Sequence, residues 1–232
     1  MGGASLLIGA LLGIYAGASR RTIALIMAFG AGVLLSSVAF ELMDEAYRRG
    51  GFDAAAIGLL SGAAVFFVAD REVNRRGGER RKSPGEKQGG SASAIAIGAL
   101  LDGIPESAAI GITLIEGSGV SAALVAAVFL SNIPEGLSSA SGMKQAGRST
   151  AHVIGLWSAV TAASAAAALL GYLFLDGAPE DLIAGIQAFA AGAILTMLAS
   201  TMMPEAYEEG GDVVGIVTSA GFLLAFILSR LE

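Results

Sequence analysis

Eight apolar stretches, most of them close to the length of a bilayer crossing, follow one another along this 232-residue chain with only short polar breaks. A hydrocarbon core about 30 Å thick takes about 20 apolar residues of helix. The candidate spans are 3–18, 22–42, 54–69, 91–115, 120–142, 150–175, 182–203 and 213–229. The runs are continuous and lack the strict alternation of an outer-membrane barrel strand. Only 15% of the residues are charged, against roughly 25% in a soluble domain. The 33 glycines fit the same picture, because small residues let helices touch in lipid, where no hydrophobic force drives them together. The expectation is an all-α polytopic membrane protein, one transmembrane domain over 1–232 with eight helices.

Composition also excludes. With no cysteine and one histidine, the chain holds neither a thiolate metal site nor a helical His-Glu-x-x-His zinc site. A net charge of −6 argues against nucleic acid as a partner. Residues 1–18 lack the basic start of a cleavable signal and read as the first span instead.

Basic residues set orientation, because loops rich in Lys and Arg stay in the cytoplasm. Placing both termini outside the cytoplasm puts 11 of the 14 basic residues inside: Arg20, Arg21, seven between Arg71 and Lys87, Lys144 and Arg148. Arg48, Arg49 and Arg230 remain outside. The predicted location is the cell membrane, multi-pass, with 71–90 as a solvated cytoplasmic linker between the third and fourth helices.

The chain repeats itself. Residues 28–51 read AFGAGVLLSSVAFELMDEAYRRGG and residues 188–211 read AFAAGAILTMLASTMMPEAYEEGG, with 12 of 24 positions identical at an offset of 160. The second helix would run outward and the seventh inward, so the copies are inverted. A smaller pair, Asp102-Gly-Ile-Pro-Glu106 and Ser131-Asn-Ile-Pro-Glu135, lies in the fourth and fifth helices. The pattern predicts an inverted 3+2+3 repeat, a hallmark of secondary transporters whose substrate binds between the repeats.

Carboxylates deep in apolar helices face a protein interior and serve function, since placing them there costs about 2.5–3.5 kcal/mol on insertion scales. Asp102 lies one turn before Glu106, and Ser131 one turn before Glu135 with Asn132 beside it. Pro105 and Pro134 each lack the amide that would bond the carbonyl one turn back, which frees the carbonyls of Leu101 and Leu130. The two helices thus offer Asp102, Glu106, Ser131, Asn132, Glu135 and loose carbonyls as an oxygen-rich site for a divalent cation. Carboxylates gathered alone would repel one another, and a 2+ ion relieves that repulsion.

With these residues the chain resembles the ZIP family of divalent metal transporters. The resemblance spans all eight helices, rests on the paired Pro-Glu motifs and extends to the second-helix pattern AFGAGVLLSSVAFELMDEA. It implies transport toward the cytoplasm, with helices one, four, five and six carrying the ion elevator-fashion against two, three, seven and eight. By position, Asp102 takes the histidine place of the family's fourth-helix signature, Gly103 the asparagine place and Glu106 the glutamate place; Ser131, Asn132 and Glu135 take the fifth-helix places. The chain departs from the pattern in lacking both signature histidines. It also has no acidic residue between Glu135 and Asp176 to match a sixth-helix ligand. Hard oxygen donors suit manganese, magnesium or calcium better than a zinc-selective site, and zinc, iron and cadmium stay within reach.

No permanently bound cofactor is expected, the cation being the substrate. Small-residue faces permit a homodimer in the lipid bilayer. Two acidic clusters flank the spans: Glu41, Asp44 and Glu45 at the outer side, Glu205 and Glu208 at the inner. Each reads either as an ion entrance or exit or as a solvated helix end. Two other functions stay open: a non-transporting metal-binding sensor, and an intramembrane hydrolase. The hydrolase lacks nitrogen ligands for a catalytic metal and an aspartate pair, so no enzymatic activity is expected.

Overall fold

Glycines decide which helices of this chain touch. The computed structural model describes residues 2–16, 19–75, 92–113, 122–175 and 177–231. Among these residues there are helices and turns and no strand. In chain order they are α1 (Gly2–Tyr15), α2 (Arg20–Ser37), α3 (Asp44–Val73), α4 (Ala92–Thr113), α5 (Ala122–Gln145), α6 (Thr150–Leu175), α7 (Glu180–Met197), α8 (Met203–Gly210) and α9 (Val213–Ser229). Among the described residues, three segments are long and apolar enough to cross a membrane: Arg20–Val73, Thr150–Leu175 and Glu180–Gly210.

Four helix pairs run parallel with their backbones in contact. Gly9 and Gly13 of α1 lie against the carbonyls of Ile133 and Leu137 of α5, so closely that a Cβ on either would collide. Gly111 seats α4 on Ala168 of α6 in the same way, while Gly103 faces the Ser164 side chain. Gly58 and Gly62 bring α3 onto Gly185 and Phe189 of α7. Gly32 meets Thr218 of α9, and Gly221 meets Phe29 of α2. Such contacts supply the dispersion and backbone proximity on which helices rely where lipid is as apolar as leucine.

Large side chains then face outward. Ile57, Leu60, Val65, Phe67 and Val68 line the exposed face of α3, while its buried stripe is Ala55, Gly58, Gly62 and Phe66. On α9, Ile216, Leu223, Leu224 and Ile227 are exposed and Val214, Thr218, Gly221 and Ala225 are buried. Faces with small residues inside and large apolar ones outside are compatible with lipid as the surrounding medium.

Two features depart from the predicted boundaries. The second span continues past Ser37 as a π-helical segment, Val38–Met43, and passes directly into α3. The polar stretch 48–53, expected as a loop, reduces to a single left-handed residue, Gly51 (φ 67°, ψ −169°). Positive φ costs glycine nothing, so one residue redirects the helix without a loop. The second half repeats this: a π-helical segment at Leu198–Met202, then α8, then Gly211 (φ 70°, ψ −157°). The acidic break 205–212 between the last two predicted spans is therefore mostly helix, with Pro204 in the first turn of α8.

The two halves also share contacts. The Phe29–Gly221 and Gly32–Thr218 approaches correspond, at an offset of 160 in α2 and 159 in α9, to Phe189–Gly62 and Gly192–Leu59. Gly50 packs on Ala184, and Gly210 on Ala24. An ion pair joins Arg49 to Glu180 at 3.1 Å, and another joins Arg20 to Glu209 at 3.9 Å. Shifting each member by 160 turns one pair into the other with its charges exchanged. Of the predicted linker 71–90, residues 71–73 complete α3, and 76–90 lie outside the described residues.

Candidate functional site

Helix α5 is the axis of the structure, touching α1, α2, α4, α6 and α9. Its middle is buried from Ser131 to Ala140 with Ile133 alone partly open, yet it carries Ser131, Asn132, Glu135, Ser138 and Ser139. Buried polar groups on an apolar helix demand partners. Pro134 lies inside α5 and Pro105 inside α4, each directly before its glutamate.

The two motifs meet. Glu106 is 1% exposed, Ser131 and Asn132 are each 2% exposed, and Glu135 is 5% exposed. The Ser131 hydroxyl lies 3.3 Å from Glu106 Oε1 and 3.0 Å from the Val128 carbonyl oxygen. It has one hydrogen for two acceptors, so it alternates between its own helix and the carboxylate. Glu135 follows Ser131 by one turn on the same side of α5. The Leu130 carbonyl, left without an amide donor by Pro134, faces Gly30 of α2, where a Cβ would sit 3.0 Å from it. Of the sequence-predicted set, Glu106, Ser131, Asn132 and Glu135 are thus brought into one interior; Asp102 falls on α4, its side chain outside the described residues.

Gly103 shows what occupies the neighbouring space. A Cβ there would lie 3.2 Å from Ser164 Oγ of α6, a buried hydroxyl with no hydrogen-bond partner among the described residues. Helix α6 therefore turns a polar group toward α4 at this level, although it has no acid. The sequence signal was a serine inside an alanine run, Ala162–Ala167 interrupted by Ser164, and it reads there as ordinary small-residue packing. Ser138 and Ser139, one turn beyond Glu135, were missed for the same reason.

The flanking acids separate into different roles. Asp44 pairs with Arg48 at 2.9 Å and Glu45 with Arg49 at 2.9 Å, so that cluster is neutralised within its own helix. Glu41 lies in the π-helical segment Val38–Met43, and its carbonyl accepts a hydrogen bond from the fully buried Gln187 of α7 at 3.3 Å. Glu205 is 8% exposed, buried rather than solvated, because α8 packs on α2. Glu208 is exposed. Among the described residues no three His, Cys, Asp or Glu side chains gather as a metal-binding group. The Glu106–Ser131 contact joins α4 to α5, and the buried Asn132 and Glu135 lie on the same stretch of α5 as the Leu130 carbonyl, oxygen donors suited to a hard cation that keeps part of its water. Compared with protein-family models and with curated proteins, the chain matches none of them.

Proposed function

We propose that this chain is a divalent metal cation transporter of the ZIP type, an eight-span membrane protein that moves its ion toward the cytoplasm between α4 and α5. The observation that carries the reading is the burial of Glu106 and Glu135 in mid-helix, each behind a proline, with Ser131 of one helix touching the carboxylate of the other. Carboxyl groups held inside an apolar bundle are expensive to charge, and an arriving 2+ ion draws on both. Glu106 and Glu135 supply charge, Ser131 and Asn132 neutral oxygens, and the Leu130 carbonyl a further acceptor. Asp102 is proposed as an additional ligand from α4. Manganese fits this donor set best, with iron, zinc and cadmium as competing substrates.

The inverted 3+2+3 repeat belongs to the same proposal. It is supported by the recurrence, 160 residues apart, of the π-helical segments, the left-handed glycines and the helix contacts. A carrier of α1, α4, α5 and α6 moving against a scaffold of α2, α3 and α7–α9 draws support from how one apolar cluster is made up. That cluster, with Leu6, Ala99, Met143 and Trp157, draws only on those four helices. On this proposal both termini lie outside the cytoplasm and the linker 71–90 inside.

The test is uptake of manganese, iron, zinc, cadmium and magnesium into proteoliposomes, counted by elemental mass spectrometry. Glu106→Gln and Glu135→Gln are each expected to lower uptake at least a hundredfold; unchanged uptake in both refutes the proposal. A non-transporting metal sensor is the second reading, motivated by the missing signature histidines and the lack of an acid in the sixth helix. It predicts metal binding by calorimetry with no flux in the same vesicles.

A further inference from the structure

Beyond Glu135, α5 carries two more buried polar side chains that the site just described does not use. Ser138 and Ser139 are buried, and neither hydroxyl has a hydrogen-bond partner among the described residues. A buried hydroxyl left unsatisfied costs stability, and alanine would fill the same space without that cost. Their positions are not set by packing on α1. That helix seats on Ile133, Gly136 and Leu137, and at 100° per residue Ser131, Glu135 and Ser138 form a strip on the opposite side of α5 with Asn132 and Ser139 on its flank. The strip is about 10 Å long from Ser131 to Ser138.

The apolar side of α5 lies elsewhere: Ala140 and Met143 cluster with Leu6 and Ala10 of α1, Ala99 of α4 and Val153 and Trp157 of α6. The polar strip therefore has Ser131 and Glu135 at one end and two unpartnered hydroxyls at the other.

We infer that Ser138 and Ser139 form the next station for the cation after Glu135, hydroxyl oxygens that take over part of its coordination as it leaves the carboxylates. The inference rests on the transport reading. Hydroxyl ligands suit the step: they are neutral, so they hold a hard, partly hydrated cation weakly enough for it to move on.

The chain contains no cysteine, so Ser138→Cys and Ser139→Cys each create a sole thiol. In proteoliposomes containing either variant, a membrane-impermeant cationic methanethiosulfonate is expected to label the thiol at least tenfold faster than a lipid-facing control, Leu169→Cys, and manganese is expected to slow the labelling. In parallel, the double variant Ser138→Ala/Ser139→Ala is expected to transport manganese at least tenfold more slowly at saturation, with equilibrium manganese binding in detergent unchanged. Wild-type flux in the double variant, or labelling no faster than at Leu169→Cys and insensitive to manganese, overturns the inference alone. Absence of flux of manganese, iron, zinc, cadmium and magnesium alike in the wild type overturns the transport reading, and this inference with it.

Discussion

Gly30 and Gly32 lie two residues apart on α2, and alanine at each should have opposite consequences. A Cβ at Gly30 would stand 3.0 Å from the Leu130 carbonyl oxygen and 3.1 Å from Ser131 Cα. Ordinary carbon–oxygen contacts run at about 3.3–3.6 Å, so α2 and α5 need part by only about 0.5 Å. Overpacking of that size costs about 1 kcal/mol, and alanine returns about 1 kcal/mol in helix propensity. Stability should stay level. At Gly32 the Cβ would fall on the Thr218 carbonyl and 2.8 Å from Phe222 N. These backbone atoms cannot rotate aside, so α2 and α9 must separate by about 1 Å or more. The overpacking cost rises to about 3 kcal/mol, or about 2 kcal/mol net of propensity. For a chain of this size that is a fall of about 4–8 °C in Tm. Trp157 is the sole tryptophan and is buried, so its fluorescence reports unfolding directly. Function should divide the other way. A half-ångström shift at Leu130 and Ser131 stretches the 3.3 Å Ser131–Glu106 contact beyond hydrogen-bond range, and Gly30→Ala should lower manganese uptake about tenfold, equivalent to about 1.4 kcal/mol. A Gly30→Ala protein that melts as early as Gly32→Ala, or one that transports normally, refutes the reasoning.

Pro134→Ala restores an amide donor to the Leu130 carbonyl. Proline inside a helix is unfavourable by about 3 kcal/mol relative to alanine, so the variant should melt higher while taking up less manganese; a lower Tm by tryptophan fluorescence refutes the assignment of that carbonyl to the ion. The ion pairs should differ in strength. A double-mutant cycle on Arg49 and Glu180, 3.1 Å apart, should return a coupling of about 0.5–1 kcal/mol in thermal unfolding, and one on Arg20 and Glu209, 3.9 Å apart, close to zero. Equal couplings would show that distance is not what separates them.

Much of the site was legible because charge in an apolar helix is rare. Glu106 and Glu135 announce themselves by composition alone, and Pro105 and Pro134 mark the same turns. The serines were not legible, since Ser138, Ser139 and Ser164 are as small as the alanines around them, and only burial without a partner singles them out. Helix boundaries misled where polar residues sit inside continuous helix. Arg48–Arg49 and Glu208–Glu209 read as loop, yet the chain needs only Gly51 and Gly211 to turn. Glu205 reads as solvated because acids follow it, whereas Ala206 and Gly210 on the same helix pull that face inward. Pairing was hidden for another reason: glycine spacing tells which face admits a close neighbour, and says nothing of which helix arrives there.

The exchanged ion pairs constrain how this chain can change. Arg20 and Glu180 begin equivalent helices and differ in sign, as do Arg49 and Glu209 near the equivalent ends. In the proposed orientation the basic residue of the first couple lies on the cytoplasmic side, where insertion favours it, and the second couple carries the complementary charges. A reversal at one position would disturb both membrane insertion and the bond to its partner. Substitutions at these four positions should therefore occur as compensated pairs across a lineage.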